Sequence, residues 1–373
     1  MHEPRSSDER LADALRLALI SGIGPRLRKA LLEAFGTAKD VLDAPPSELR
    51  RVPGIGGELT RRIAVAREEL DVAAELELCE RHKIKIITDE DEAYPRALRE
   101  IHDPPGILFV RGTILPQDAL SMAIVGSRHA TQYGLAQAER LAGSLARAGL
   151  TINSGLARGI DAAAHRGALA AGGRTIAVLG SGVLNLYPPE HAELAVEIAR
   201  QGAVISENPP ESPPLSGAFP QRNRIISGMS LGVVVVEAST RSGALISARH
   251  AMEQGRDVFA VPGRVDNRMA HGCHRLIRDG AKLVETADDV LEELGPLVAP
   301  AESASGAEIH HPAELLLNEI EQAVLAAIDS EPTSIDHVVS ASGLPTGQVL
   351  ATISVLEMRH LVRRVSGNLL IRK

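Results

Sequence analysis

Between Leu120 and Leu294, short runs of β-branched residues alternate with longer stretches of helical composition. The runs are, in chain order, SMAIV (121–125), LTINS (150–154), TIAVL (175–179), AVIS (203–206), VVVVE (233–237) and DVFAV (257–261). Stretches of roughly 12–18 residues, enough for one helix each, separate most of these runs. Strands that alternate with helices in this way are typical of a doubly wound parallel sheet, so we predict an α/β fold here.

The first 75 residues read as short helices joined by glycine-containing turns, and they contain an internal repeat. The stretches SGIGPRLRKALL and RVPGIGGELTRRIAVA share Gly-Ile-Gly followed by a helix with basic residues. Amides that open a helix have no intrahelical partner and bind phosphate oxygens. The repeat therefore predicts a small all-α, tandem helix-hairpin-helix domain that grips nucleic-acid backbone. Its candidate contacts are Gly22, Gly24, Arg26, Gly54, Gly56 and Arg61.

A helical bundle whose turns serve only packing is the alternative for residues 1–75. Asp and Glu slightly outnumber Lys and Arg in this region, so it has no basic excess that would favour nucleic acid. The sequence leaves both interpretations open.

The remaining regions divide the chain further. Residues from Lys83 to Gly112 read as a strand-turn-strand connector ahead of the sheet. Residues 295–313 are rich in Pro, Ala and Ser and are predicted to be a flexible linker. Residues 314–373 show three helical stretches and a final hairpin, the pattern of a winged helix. No apolar run approaches the roughly 18 residues of a membrane span, and the first residues do not resemble a signal peptide, so we expect a cytoplasmic protein.

Composition limits the classes of ligand and of site. The net charge is −8, so any nucleic-acid contact requires a local basic patch. Aromatic residues make up 2%, too few for a platform of stacked rings, so polyanion binding must run mainly through phosphates. Cys79 and Cys273 cannot supply a disulfide framework or a Cys-rich zinc module, and we interpret Cys273 as a small buried residue.

Candidate binding residues follow the strands, because ligands of a parallel α/β sheet lie beyond the carboxyl ends of its strands. Nearly every strand is followed by a Gly/Ser turn that opens a helix, and arginine side chains accompany several of these turns. Amides, hydroxyls and guanidinium groups are phosphate donors, so the turns together predict an extended phosphate-binding groove. The phosphate-contacting candidates are Gly126, Ser127, Arg128, Ser154, Gly155, Arg222, Arg224, Ser242 and Gly243.

Titratable groups near these turns admit other interpretations. Glu207 and Glu237 end strands at one edge; they could form an acid/base pair or orient arginines and cap loop amides, and the neighbouring arginines favour the second. Asp161 and His165 lie four residues apart, which favours a local hydrogen bond over a proton relay. The HGCH run at 271–274 crowds at most three ligands together without a distant pair, so we predict no metal site.

Several motifs run in order through nearly the whole stretch 83–294. They are VGSRHATQYG, NSGLARGIDAAAH, TIAVLGSGVLNLYP, SENPP, the stretch from FPQRNRIISG to VFAVPG, and GCHRLIRDGA. Together they resemble the DNA-processing protein A family (DprA, also called Smf), whose members often carry a helical N-terminal domain and a C-terminal winged helix. This sequence departs from the family pattern near His191 and at Ser247 and His274, where Asn, Thr and Asn are usual.

The resemblance implies an extended Rossmann domain at 83–294 and a non-catalytic role without a cofactor. Members of the family bind single-stranded DNA on this domain, dimerise through it and help load RecA recombinase in natural transformation. We therefore expect single-stranded DNA, RecA and a second copy of the chain as partners. Carried onto matching positions, the resemblance assigns phosphate contacts to the nine residues above. It assigns base stacking to Phe219, the one aromatic residue placed for it.

Two other functional classes are open to this sequence. The first is a Rossmann-type nucleotide-hydrolysing enzyme resembling the lysine-decarboxylase-like phosphoribohydrolases, which carry a PGGxGTxxE motif. The corresponding region here reads EASTRSGALISA, without the glutamate that follows the glycines. The second is a protein adaptor, because the C-terminal unit has no excess of basic residues and is as suited to a protein partner as to DNA.

Overall fold

The computed structural model describes residues 7–297, 300–365 and 368–372. Its helices are α1 (Ser7–Leu19), α2 (Pro25–Phe35), α3 (Ala38–Asp43), α4 (Pro46–Leu49), α5 (Gly57–Glu69), α6 (Val72–Arg81), α7 (Arg96–Arg99), α8 (Gln132–Arg147), α9 (Ile160–Ala170), α10 (Ala192–Gln201), α11 (Ala218–Gly228), α12 (Ala244–Glu253), α13 (His271–Arg278), α14 (Ala287–Glu293), α15 (Glu319–Ala326), α16 (Ile335–Ser342) and α17 (Thr346–Met358).

Its strands are β1 (Lys85–Thr88), β2 (Ile107–Gly112), β3 (Ser121–Val125), β4 (Thr151–Ser154), β5 (Thr175–Leu179), β6 (Ala203–Ser206), β7 (Gly232–Val235), β8 (Asp257–Ala260), β9 (Lys282–Leu283), β10 (Ala301–Glu302), β11 (Glu308–Ile309), β12 (Thr333–Ser334), β13 (Val362–Arg364) and β14 (Leu369–Arg372). Short 3-10 turns cover Pro116–Ala119, Pro189–His191 and Pro312–Leu316.

The predicted doubly wound parallel sheet is confirmed. Within the described residues, nine strands pair in the order β1-β2-β6-β5-β4-β3-β7-β8-β9. The strands from β6 across to β9 are mutually parallel, whereas β1 and β2 add an antiparallel edge. The six β-rich runs predicted from the sequence correspond to β3 through β8, and the predicted strand-turn-strand connector forms β1 and β2.

Side chains of the central strands pack on both faces of the sheet, which is why these strands are apolar throughout. On β3, Met122 and Ile124 are buried with residues of α8, α9 and α14. The alternate residues Ala123 and Val125 point to the other face and pack with α11, α12 and α13. Helices therefore cover both faces of the sheet. The edge formed by the carboxyl ends of the strands remains open to a ligand.

The N-terminal repeat folds into two helical hairpins that pack on each other reciprocally. Gly22 and Gly54 occupy equivalent turns with φ values of +94° and +89°. A Cβ on Gly22 would lie 2.9 Å from Leu59 Cδ2, and one on Gly54 would lie 2.7 Å from Leu27 Cδ2. Leu27 and Leu59 are themselves equivalent positions of the repeat. Each turn therefore packs against a helix of the other hairpin, and the two glycines allow this close packing.

Side chains of α2 attach this unit to the central domain. The buried Arg28 guanidinium donates two hydrogen bonds to Asp89, at 2.8 and 2.9 Å, and Lys29 Nζ donates to the carbonyl of His102 at 3.1 Å. Further along the chain, Val72 and Cys79 of α6 are buried with residues of the central sheet. The predicted boundary at residue 75 therefore falls inside α6, a helix that packs on the central domain.

The segment 295–313 differs from the predicted flexible linker. Ala301 and Ile309 pair in a two-stranded ribbon, and both are buried against Leu120 at the start of β3. A 3-10 turn follows from Pro312, and its Glu314 accepts a hydrogen bond from Arg372 at 2.8 Å. Composition suggested a linker because Pro, Ala and Ser are common in linkers, but a few apolar residues suffice to anchor the ribbon.

The C-terminal unit has the helix and strand content of a winged helix. Its strands pair in the order β12-β14-β13, and α15, α16 and α17 bury apolar side chains such as Val338 and Ile353 in a separate core. Among the described residues no single helix is long and apolar enough to cross a membrane. Only α16 and α17 taken together reach that length and composition, and they are bent by 112° relative to each other.

Substituting Gly22 tests the reciprocal packing. Gly22→Ala introduces a Cβ at a left-handed φ and against Leu59, so we expect the N-terminal unit to lose about 1–2 kcal/mol of stability. Faster amide hydrogen exchange in residues 7–69 is the readout. Gly57→Ala is the matched control, because a Cβ there meets no atom within 4 Å and its φ is not left-handed. Equal exchange in both variants would contradict the packing role.

Candidate nucleic-acid interface

A cavity of about 690 Å³ lies at the carboxyl edge of the central sheet. Its walls come from the loops that follow β3, β4, β5, β6 and β7, together with one face of α11. The chain runs from β3 to β4 on one side and returns to place β7 on the other side, so the cavity lies where the strand order reverses. This is the position at which doubly wound sheets bind their ligands. The predicted turns therefore do meet at one edge.

The first turn presents a hydroxyl and an arginine to the cavity. The Ser127 amide donates to the carbonyl of Glu237 at 2.6 Å, which fixes the loop against the end of β7. The Ser127 hydroxyl accepts from the amide of His129 at 3.1 Å, so its own proton stays available for an anion. Gly126, Ser127 and Arg128 all line the cavity, and the Arg128 side chain is exposed.

Glu237 caps the helix that follows this turn. Its carboxylate accepts from the Thr131 amide at 2.8 Å and from the Thr131 hydroxyl at 2.6 Å, directly before α8. Both contacts tie the carboxylate to loop donors, as one of the two sequence-based interpretations requires. Glu237 is 2% exposed and is unsuited to act as a general base on a ligand.

Arg224 points away from the cavity, contrary to its predicted phosphate contact. Its guanidinium donates to both oxygens of Glu207, at 2.8 and 2.7 Å, and to the carbonyl of Asp103 at 3.1 Å. The side chain is 2% exposed. Arg222 and Arg224 were predicted as equivalent phosphate contacts, but both belong to α11, where residues two apart point in nearly opposite directions. Arg224 and Glu207 thus hold α11 in place.

Ser154 and Gly155 are also turned inward, which corrects their predicted phosphate contacts. The Ser154 hydroxyl is fully buried and donates to the carbonyl of Ile124 at 2.6 Å. The Gly155 amide donates to Asp161 Oδ2 at 3.1 Å, so it is already engaged. A Cβ on Gly155 would lie 2.4 Å from the Arg222 guanidinium. Glycine is required here because an arginine passes over the backbone.

Arg222 forms the floor of the cavity. It is 4% exposed and donates to the carbonyls of Gly155 and Val178. Burial lowers its pKa to about 10, and the nearby Asp161 carboxylate opposes that effect. The pKa of Asp161 is raised by its own burial and held down by the charge of Arg222. Arg222 therefore keeps its charge at neutral pH, with Asp161 beside it at the floor of the cavity.

The opposite wall is the turn before α12. Gly243 is the N-cap residue of α12, is exposed, and has open space where a Cβ would lie. The Ser242 hydroxyl accepts from the Ala244 amide at 3.3 Å. Both residues line the same cavity as Arg128.

Phe219 belongs to a row of four side chains along the rim of the cavity: Arg128, Phe219, Tyr187 and Arg158. The sequence predicted contacts for Arg128 and Phe219 but not for Tyr187 and Arg158. Arg128 Cζ lies 5.5 Å from the centroid of the Phe219 ring, and the Tyr187 ring lies 5.6 Å from Phe219 on another side. Arg158 Cζ in turn lies 5.7 Å from the centroid of the Tyr187 ring. Phe219 was predicted to be the one aromatic residue placed for stacking; the structure adds Tyr187. The signal in the sequence was NLYP directly after a glycine turn.

Histidines and cysteines near the cavity have structural partners. The His191 ring is hydrogen-bonded to the carbonyl of Leu156 at 2.9 Å, and His274 Nε2 is 2.8 Å from the carbonyl of Gly263. These two departures from the family pattern therefore brace loops. Cys273 is buried, as predicted, and burial raises its pKa to about 12. The described residues contain no group of three His, Cys, Asp or Glu that could hold a metal ion.

The predicted contacts of the helical hairpins divide into two sets. Gly22 and Gly54 are used in packing, as described above, whereas Gly24 and Gly56 are N-cap residues of α2 and α5 with open space around them. The side chain of Arg26 is 80% exposed, with its Nε 3.9 Å from Asp103. The Arg61 side chain is exposed and pairs with Glu58 at 3.0 Å.

Family models match three parts of the chain. The model of DNA recombination-mediator protein A matches residues 85–295, that of the DprA winged helix domain matches 309–368, and that of the SAM-like helix-hairpin-helix tandem matches 14–69. The three matches correspond to the central domain, the C-terminal unit and the N-terminal hairpins described above.

Individual proteins agree with these matches. Protein Smf of Synechocystis sp. is 35% identical over 93% of this chain and 95% of its own length. The DNA processing protein DprA of Streptococcus pneumoniae is 46% identical over 54% of this chain and 72% of its own length.

Two solved structures are similar as well. The X-ray structure of DprA from S. pneumoniae has a TM-score of 0.68 and 36% identity, covering 76% of this chain and 98% of that one. A structure of DNA processing protein A from Helicobacter pylori, described for its single-stranded DNA binding mode, has a TM-score of 0.50 and 30% identity, covering 55% and 94%.

The burial of His165 behind the cavity floor predicts that the stability of the fold decreases at acidic pH. Its Nδ1 lies 2.7 Å from the Thr175 hydroxyl, and that hydroxyl donates to Ile152, so the ring is neutral with its proton on Nδ1. Burial lowers the pKa of His165 to about 3. The unfolded chain therefore binds the extra proton from about pH 6.5 downward, and stability falls toward pH 3 by up to about 1.4 kcal/mol per pH unit.

The substitution His165→Asn removes this pH-dependent contribution to stability. Urea unfolding at a series of pH values should show that the stability difference between the natural protein and the variant shrinks as the pH falls from about 6.5. His82→Asn, at an exposed histidine, is the control and should leave the pH dependence unchanged. An identical pH slope in His165→Asn and the natural protein would contradict the buried neutral state.

Proposed function

The chain belongs to the DNA recombination-mediator protein A family, and we propose that its cavity holds single-stranded DNA by the sugar-phosphate backbone without cutting it. The observation that carries this proposal is the arrangement of donors and carboxylates around the cavity. Its donors face the ligand, whereas the carboxylates near it are bound to protein groups: Glu207 to Arg224, Glu237 to Thr131, and Asp161 to loop amides. The ligand therefore meets hydroxyls, amides and guanidinium groups, which bind phosphate.

The shape of the cavity supports a strand over a mononucleotide. The walls come from the loops that follow five strands, and the turns at Arg128 and at Ser242 both line the cavity. Donors on opposite walls are suited to consecutive phosphates of one strand. The contacts we propose are Gly126, Ser127, Arg128, Ser242 and Gly243 on the walls, with Arg222 supplying charge from the floor and Phe219 stacking on a base.

The rival function is nucleotide hydrolysis. A hydrolase of this fold requires a general base that reaches the ligand. Within the described residues, the carboxylate that lines the cavity is Asp161, and it accepts hydrogen bonds from two loop amides beside Arg222. This arrangement favours binding over catalysis. Incubation with nucleoside monophosphates tests it, and release of free base or phosphate would favour the enzyme.

The ends of the chain have supporting roles in the proposal. Gly24, Gly56, Arg26 and Arg61 are the hairpin groups that remain at the surface, and we propose them as accessory backbone contacts. The helix α17, which a DNA-binding winged helix would place in a groove, contains no Lys or Arg. This favours a protein partner for the C-terminal unit.

An arginine substitution tests the strand-binding proposal. Arg128→Ala should weaken single-stranded DNA binding about tenfold, equally for all base sequences, because a charged phosphate contact is lost. The salt dependence of log K should flatten by about 0.7. Fluorescence anisotropy of labelled oligonucleotides at several salt concentrations measures both quantities.

Arg147→Ala is the matched control for this measurement. Arg147 is an exposed arginine at the far end of α8, the helix that begins beside the cavity. It should leave the affinity and the salt slope unchanged. If Arg128→Ala behaves like this control, the cavity does not hold the strand.

We further propose that the bound strand is handed to RecA recombinase, as in natural transformation, by a dimer of this chain in the cytoplasm. On single-stranded DNA coated with a single-strand-binding protein, the natural protein should speed the assembly of RecA filaments. The rate of ATP hydrolysis by RecA measures this assembly. Arg128→Ala should slow assembly toward the rate without the protein, and Arg147→Ala should not. Light scattering of the same preparation should give twice the chain mass. Failure of the natural protein to speed assembly would refute the loading role.

A further inference from the structure

We propose that Tyr187 and Arg158 form a second base-stacking position, next to that of Phe219 and Arg128, for a neighbouring nucleobase of the same strand. The inference rests on the proposed function and deepens it, because it assigns groups outside the phosphate-binding turns to base contacts. It arises from the row of side chains on the rim, in which each aromatic ring is paired with one guanidinium.

The two halves of the row have the same construction. Arg128 Cζ lies 5.5 Å from the Phe219 centroid, and Arg158 Cζ lies 5.7 Å from the Tyr187 centroid. The two rings meet at 5.6 Å with their planes inclined by 55°. Each ring thus has a neighbouring ring on one side and a guanidinium plane on another. Because aromatic rings and arginine planes both accept stacked bases, each pair provides one base position.

The four side chains are delivered by four separate loops at the same sheet edge. Arg128 follows β3, Arg158 follows β4, Tyr187 follows β5, and Phe219 opens α11 after β6. Their contacts nevertheless give the row the order Arg128, Phe219, Tyr187 and Arg158, because Phe219 on α11 lies against Arg128 although α11 follows β6. A DNA strand that runs along this row of side chains meets the first pair and then the second.

Exposure separates Tyr187 from the aromatic residues of the core. Phe109, Phe259 and Tyr94 are buried in the core, as expected for a chain with few aromatic residues. Tyr187 is 36% exposed and lines the cavity, so part of its ring remains accessible to a ligand. A ring that merely braced Phe219 would be covered on its remaining face by apolar groups.

Arg158 is held over the ring by a second contact. Its Nε donates to Glu190, and this hydrogen bond raises the pKa of Arg158 above its ordinary value. Both partners of the pair are about half exposed, so the pair is accessible to a strand. The guanidinium is therefore fixed beside Tyr187 and still open on its outer side, where a base or a phosphate can approach.

Tyr187→Leu tests the second position on the full chain. We expect the affinity for a short oligothymidylate to fall by about 5- to 150-fold, since one stacked base contributes about 1–3 kcal/mol. Tyr133→Leu is the matched control, because Tyr133 is also exposed but lies outside the cavity and bonds to the carbonyl of Pro262. Tyr133→Leu should leave the affinity unchanged.

A single abasic site moved along the oligonucleotide distinguishes stacking from bracing. If Tyr187 stacks on a base, there is one position at which the abasic site and Tyr187→Leu are not additive, and it differs from the position found with Phe219→Leu. If both variants couple to the same position, Tyr187 only supports Phe219 and the proposal is overturned.

Two further outcomes separate this inference from the proposed function. Undiminished binding by Tyr187→Leu, with binding still weakened by Arg128→Ala, refutes the second position and leaves strand binding intact. Absence of binding by the natural protein refutes both. As a readout that needs no substitution, 2-aminopurine placed at the coupled position of the oligonucleotide should lose fluorescence on binding to the natural protein. Retained fluorescence at every position would overturn the proposal.

Discussion

Internal pairing of the carboxylates makes the cavity attractive to a polyanion in a protein whose net charge is −8. Glu207 is bound by both nitrogens of the Arg224 fork, and Glu237 is bound by the amide and hydroxyl of Thr131. The charge of Glu207 is therefore compensated by Arg224, and the dipoles of the Thr131 donors reduce the negative potential of Glu237 at the adjoining cavity. Arg128 has no ion-pair partner in the part of the chain that the structure describes, so its charge dominates the rim. Whole-molecule charge says little about such a site, since the field at short range is set by nearby groups.

Helix α11 explains which site residues could be predicted and which could not. The strands and their turns follow from apolar runs and glycines, so Ser127 and Gly243 were located from the sequence. The direction of a side chain depends on helical phase, however, and the pattern of strands and turns did not predict the helix that FPQRNRIIS forms. In the helix, Phe219, Arg222 and Asn223 have the i, i+3, i+4 spacing of one face and line the cavity. Arg224 lies on another face and reaches Glu207.

Burial is the second property that the local sequence did not reveal. Ser154 and Ser242 were both predicted as phosphate contacts at Gly/Ser turns, yet Ser154 is the last residue of β4 and its hydroxyl donates to the carbonyl of Ile124 on the neighbouring strand β3. The difference lies in the sheet: β4 is flanked by β3 and β5, so the end of β4 is enclosed, whereas Ser242 lies several residues beyond β7, at the start of α12. Strand order, which requires long-range pairing, decides which polar turn residue can reach a ligand.

The N-terminal hairpins illustrate how a motif associated with nucleic acid can be partly used for assembly. Arg28 and Lys29 follow the first Gly-Ile-Gly turn, where backbone contacts would be expected, but both are bonded to the central domain. Asp103 lies at this junction: its carboxylate is 3.9 Å from Arg26 Nε and 3.4 Å from Arg224 Nε. The hairpin unit therefore adjoins the buried Arg224–Glu207 pair that holds α11. Asp103 is thus the residue at which the N-terminal unit and the helix that carries Phe219 come together, since its carboxylate lies near an arginine of each.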